Sequence, residues 1–188
     1  MIKKILFLLI LFHLTSKSFS QVKDMPNYSF FKLVVTKLNT DKNEVLLVKW
    51  NDKWEVPGLK YNSKSSIKEF IAKMANDMGI RMYKEERLRG IFTIHYENRP
   101  KPTLMNYYSL DFVEGDITPP PSCSQIKWFS IDEALKLISY QDMVEILKQL
   151  YEDKNSVFGG AIKKYKEAKS KEKKIEFTEP LYKLAECK

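Results

Sequence analysis

Between residues 67 and 78 the apolar side chains Ile67, Phe70, Ile71, Met74 and Met78 recur at spacings of three, four and seven. That periodicity puts them on one side of an α-helix and predicts that this side is buried. Ser65 or Ser66 offers the hydroxyl that an N-cap requires, and Gly79 supplies the backbone freedom that ends a helix. The opposite side carries Glu69, Ala72, Lys73, Asn76 and Asp77, so any chemistry done on this helix falls to those side chains.

Elsewhere the pattern shortens to that of strands. Residues 29–38 are rich in Phe and Val, a polar turn follows at 39–43, and 44–49 form a second apolar run. Trp50 and Trp54 flank a tight turn at Asn51-Asp52-Lys53. Beyond the helix, Gly90 opens a strand to Glu97, residues 98–102 turn, and 104–113 form the next strand. Pro119-Pro120-Pro121 makes a rigid link to a short strand at 126–130. Two helices, 131–137 and 142–151, come next, the second with Val144, Leu147, Leu150 and Tyr151 on one face. A helix set between strands, with two more apolar-faced helices after them, predicts an α/β (α+β) domain with a mixed β-sheet packed between helices.

The first 20 residues read as a secretory leader: basic at Lys3 and Lys4, apolar from 5 to 14, and small-x-small at Ser18-Phe19-Ser20, with cleavage expected before Gln21. The apolar run is shorter than the roughly 20 residues a membrane span needs, and no cysteine stands near the cleavage point for a lipid anchor. The expected organisation is a signal peptide at 1–20, a domain at 21–152 and a basic C-terminal extension at 153–188, exported to a periplasm or secreted, with no transmembrane segment after cleavage.

Charge refines this picture. Loss of Lys3, Lys4 and Lys17 lowers the formal charge from +8 to +5. Residues 161–174 hold seven lysines against two glutamates, which accounts for the whole of that +5 and leaves the rest near neutral. A nucleic-acid partner is therefore not expected, because the basic footprint belongs to one segment, which reads as a solvated helix. Only His95 remains after cleavage, in the strand-like run 91–96, so a zinc site built on several histidines is excluded. Cys123 and Cys187 are the only cysteines. In an oxidising compartment they form either two free thiols or a bridge that stabilises by about 3–5 kcal/mol on the loop-entropy account.

The stretch from Gly58 to Ile80 resembles the signature of the Nudix family, G-x5-E-x7-R-E-U-x-E-E-x-G-U with U aliphatic. Aligned on Gly58 and Gly79 it fits without a gap. The lead Trp54-Glu55-Val56-Pro57-Gly58 is also similar to that family, as is Trp128-Phe129-Ser130 followed by Ile131-Asp132-Glu133-Ala134-Leu135. The resemblance covers roughly residues 29–152 and implies a Nudix-like fold, a mixed sheet sandwiched between helices, with a loop and helix that approach a ligand's phosphates.

The framework of the signature is present, but its chemical positions differ. Lys64 stands where the family has its first Glu, Ala72-Lys73 where it has Arg-Glu, and Asn76-Asp77 where it has Glu-Glu. The family's charge of −3 over these positions becomes +1. Mg²⁺ wants several oxygens, usually with one or two protein carboxylates beside substrate phosphates. Asp77 alone is a weak metal ligand. Without those ligands the family's diphosphate hydrolysis loses its main electrostatic support, so no cofactor is expected. Lys64 and Lys73 could instead neutralise a phosphorylated small molecule that is bound without being cleaved, or simply form a solvated face with a Glu69–Lys73 pair. The alternative is an atypical hydrolase that uses Mg²⁺ or Mn²⁺, with Asp77 helped by Glu97, Asp111, Glu114 or Asp116, and with Tyr96, Tyr107 and Tyr108 available to stack on a base. A structural role without a small ligand is the third reading.

Overall fold

The computed structural model describes residues 28–37, 43–81, 86–167, 170 and 172–186. The expected leader at 1–20 and the thiol of Cys187 lie outside the described residues.

Among the described residues, nine strands form one mixed sheet. In chain order the elements are β1 (Ser29–Lys37), β2 (Glu44–Trp50), β3 (Lys53–Glu55), β4 (Gly58–Lys60), α1 (Ile67–Asp77), β5 (Arg87–Tyr96), β6 (Thr103–Phe112), β7 (Gln125–Ser130), α2 (Ile131–Leu137), α3 (Gln141–Glu152), β8 (Ser156–Lys166) and β9 (Lys173–Glu186). The sheet order is β3-β2-β1-β6-β5-β8-β9, with β4 on β1 and β7 on β2. β1 runs parallel to β6, and β5 runs parallel to β8.

The alternation of β1 explains the two layers. Phe31, Leu33 and Val35 point to one face, where they pack with Phe70, Ile71, Met74 and Met78 around α1. Val34 points to the other, with Phe92, Ile94 and Tyr107, under Leu147 and Leu150 of α3 and Ala134 of α2. The expected mixed sheet between helices is what forms.

Helix α1 is set by its caps. Ser66 is the N-cap and accepts from Glu69 N, while the Glu69 carboxylate accepts from Ser66 N, a reciprocal capping box. Glu69 is thereby held at the cap, and its carboxyl is lowered below the usual range first by the Ser66 backbone bond and then by the Ser66 hydroxyl. The expected Glu69–Lys73 pair gives way to this cap, and Lys73 pairs with Asp77 instead. Ile67, expected in the core, is exposed in the first turn, and Ala75 is buried with the core residues of α1. Gly79 ends the helix at φ +72°, where a Cβ would lie 2.0 Å from the Asp116 carbonyl oxygen.

Two boundaries move. β5 begins at Arg87, not at Gly90, with its register shift between Leu88 and Gly90. The larger change is in residues 156–186, where the expected solvated helix is replaced by the hairpin β8–β9. β8 is buried from Ser156 to Ile162 and pairs with β5 from Gly90 to Tyr96, so the sheet continues past residue 152. Lysine-rich composition concealed an apolar run, Val157 to Ile162, whose Phe158 and Ile162 complete the core under α3.

Candidate functional site: a groove at the Gly58 loop

A groove of about 610 Å³ opens where the Pro57-Gly58 loop, the side of α1, the first turn of α3 and the ends of β5, β6 and β8 meet. Its base is the Lys32–Glu55 ion pair, 2.9 Å long and largely shielded from solvent, in which Lys32 Nζ also donates to the Val56 carbonyl at 3.1 Å. Gly58 is required here by close approach. A Cβ at that position would fall 2.4–2.8 Å from the last atoms of the Lys32 side chain, which the ion pair holds in place.

One wall comes from α1, which contributes Lys73, Met74, Asp77 and Met78. Lys73 donates to the Asp77 carboxylate from one turn away. The opposite wall is aromatic and cationic. The Arg99 guanidinium lies 4.3 Å from the centre of the Tyr96 ring, and Lys164 lies over Tyr96 at 5.9 Å and over Tyr140 at 5.6 Å. Lys164 Nζ also meets Asp142 Oδ2 at 2.6 Å. Asp142 is 5% exposed, and its second oxygen, Oδ1, has no hydrogen-bond partner. Tyr107 forms part of the same wall and stands edge-on to Phe92; burial first, then the charges of Asp142 and Glu55, push its hydroxyl far above the usual tyrosine range. Cys123 is a half-buried free thiol on the rim, and burial and the Glu55 charge push it up despite the opposing effect of Lys32.

Of the seven signature positions, Gly58, Lys73 and Asp77 line this groove. Lys64 and Asn76 are exposed and Ala72 is half-buried, all three outside the groove wall. Gly79 serves the helix terminus. The four strand acids named from sequence do not meet Asp77. Glu97 accepts from Lys166 N, Asp111 pairs with Arg87, Glu114 pairs with Arg81, and none of them or Asp116 lines the groove. The acids that do line it are Glu55, Asp77 and Asp142. Tyr108 stacks on Phe31 in the core, with ring centres 5.7 Å apart, whereas Tyr96 and Tyr107 face the groove. His95 is exposed on β5, and Trp54 braces the loop edge-on against Phe129.

Sequence reasoning missed Lys32, Glu55, Asp142 and Lys164. Glu55 carried a signal, because it sits inside the Trp-Glu-Val-Pro-Gly lead. Lys164 was counted with the solvated lysines, but its neighbours across β8 turn it into the groove.

No protein-family model and no curated protein matches the chain. Solved structures do match. The MutT protein of Bacillus halodurans superposes with a TM-score of 0.64 at 20% identity, covering 81% of this chain and 99% of that one. The Nudix domain of Shewanella oneidensis NrtR, solved with ADP ribose, gives 0.59 at 12% identity over 74% and 96%. The C. elegans Ap4A hydrolase, solved as a binary complex, gives 0.53 at 18% identity over 66% and 96%. At these identities the likeness is one of fold, and the fold is that of the Nudix hydrolases.

Proposed function

We propose that this Nudix-fold chain binds a phosphorylated, nucleotide-like small molecule in the Gly58 groove and does not cleave it by the metal-dependent route that its signature would otherwise imply. The observation that carries this reading is the Lys73–Asp77 pair: the one carboxylate that α1 presents to the groove is already engaged by a cation of the same helix. Glu69, the other acid of α1, is committed to the Ser66 cap. Among the described residues, no three His, Cys, Asp or Glu side chains converge to hold a metal ion. This donor set does not fit a divalent cation held by carboxylates.

What the groove offers suits binding. Among the described residues, the five cations of the groove, Lys32, Lys60, Lys73, Arg99 and Lys164, outnumber its three carboxylates and leave a net positive charge for phosphate oxygens, and Tyr96 and Tyr140 supply ring faces beside them. The structural neighbours solved with ADP ribose and named for Ap4A support the nucleotide-linked class for this chain. Export, which rests on the leader-like residues 1–20, belongs to the same proposal. No helix among the described residues is long and apolar enough to cross a membrane.

The direct test is calorimetry of the chain from Gln21 with ADP ribose and related nucleotides in the presence of EDTA. Binding that survives EDTA and weakens in Lys73→Ala and Arg99→Ala supports the reading. Binding that needs added Mg²⁺ sinks it. Recovery of the chain from the cytosolic fraction alone, with residues 1–20 uncleaved, would sink the export claim.

A further inference from the structure

Helix α3 joins two cavities. Its first turn lines the groove, and its last turn roofs a second cavity of about 340 Å³, bounded by Leu150, Tyr151 and the far ends of β1, β5 and β6.

Two hydroxyls of this second cavity lack partners. Ser109 Oγ and Tyr151 Oη are both shielded from solvent and make no hydrogen bond, and both residues line the cavity. Ser109 is 6% exposed. A buried polar atom left unsatisfied is destabilising, so folded proteins rarely keep one without a ligand, ion or water to meet it. Of the three such side-chain atoms among the described residues, two belong to this one cavity.

The charge around it has one prevailing sign. Arg87, Arg89 and Lys154 line the cavity against one carboxylate, Asp111. Asp111 is engaged by Arg87 at 3.4 Å and accepts from the Thr36 hydroxyl at 3.4 Å. Arg89 donates to the Leu150 carbonyl at 2.8 Å and the Asp153 carbonyl at 2.7 Å, which offsets the negative end of α3. Lys154 is exposed and, among the described residues, makes no ion pair. Burial raises the Tyr151 phenol far above the ordinary range, so at neutral pH it keeps its proton and can donate it.

We propose that this cavity binds a small phosphoryl oxyanion, with Lys154 supplying charge at the mouth and the Ser109 and Tyr151 hydroxyls turning to donate from within. Three cations against one engaged carboxylate disfavour a metal ion, and the volume is ample for a phosphate with a few carbons attached. The site is separate from the Gly58 groove and does not depend on what that groove binds.

The test is a titration of the full chain with inorganic phosphate, followed by amide NMR and by melting temperature, and repeated with ribose 5-phosphate. The expected result is saturable shifts at the amides of Ser109, Tyr151, Lys154 and Asn155, with a raised melting temperature. Lys154→Ala leaves the fold intact and weakens binding roughly tenfold. Ser109→Ala and Tyr151→Phe weaken binding too, yet melt no lower than the parent without phosphate, because each removes an unsatisfied hydroxyl. Tighter binding of ribose 5-phosphate identifies a phosphate ester as the ligand, and equal binding identifies free phosphate. Shifts confined to the groove residues around Gly58, no shifts at all, or unchanged binding in the three variants would show a water-filled cavity and overturn the proposal.

Discussion

Lys73 and Asp77 bind each other one turn apart on the groove side of α1, so the one carboxylate this helix presents to the groove is neutralised within its own helix. Both side chains keep contact with solvent, and an exposed pair at this spacing contributes only about 0.3–0.5 kcal/mol. Lys73→Ala is therefore expected to leave the melting temperature nearly unchanged. Reversing the charge by Lys73→Glu with Asn76→Glu should raise Mg²⁺ binding above that of the parent, as read by calorimetry.

The Lys32–Glu55 pair behaves differently because it is shielded, with side chains 8% and 15% exposed. Removing one partner leaves the other charge buried and alone. Glu55→Ala is expected to destabilise by about 3–5 kcal/mol, whereas Lys32→Met with Glu55→Leu should recover most of that loss. Chemical denaturation of the two single variants and the double variant measures the difference. A double variant no better than the singles would show that the pair does more than hold the loop.

The boundary at residue 152 gives a third expectation. β8 supplies Phe158 and Ile162 to the core, each contributing about 1.5–3 kcal/mol on burial. It also pairs with β5 along its length. Those two side chains together amount to about 3–6 kcal/mol, which with the newly exposed edge of β5 takes up much of the about 5–15 kcal/mol that typical domains hold in reserve. A chain ending at residue 152 should be unfolded by circular dichroism, and a cooperative melt from it would contradict the placement of β8.

Acid should loosen the hairpin. Asp153 accepts from the Ser156 hydroxyl, meets Lys183 of β9 at 3.0 Å and accepts from Asn155 N; these contacts, Ser156 foremost, lower its carboxyl from 3.8 to about 2. A depressed carboxylate stabilises the fold above its unfolded value, and that contribution fades as pH falls through about 2. The melting temperature of Asp153→Asn should lie below the parent at pH 6, and the gap should close as pH drops from about 4 to 2. A gap that stays constant with pH would rule out this linkage.

The parts legible in sequence were those fixed by local rules. The Ser66 cap and the apolar stripe of α1 each depend on neighbours a few residues away, and the Gly58-to-Gly79 spacing was legible through its resemblance to the Nudix signature. The structure adds the reasons for the two glycines: Lys32 leaves no room at Gly58, and the Asp116 carbonyl leaves none at Gly79. The chemical walls of the groove were not legible, because Glu55, Asp142 and Lys164 come from three distant segments, β3, α3 and β8, that only the tertiary fold brings together. The strand acids failed for the same reason: alternation turns Asp111 toward the far cavity with Ser109. The hairpin was hidden because seven lysines outweighed a six-residue apolar run, and a run that short does not reveal its period.

Binding without cleavage is tested most directly by following AMP release and heat together while the chain from Gln21 is titrated with Mg²⁺ or Mn²⁺ and then with ADP ribose or Ap4A. Ligand heat without metal heat and without turnover, reduced in Lys73→Ala, is the result expected of a binding groove. Metal-dependent turnover that Asp77→Ala abolishes would contradict it and make this chain an active hydrolase.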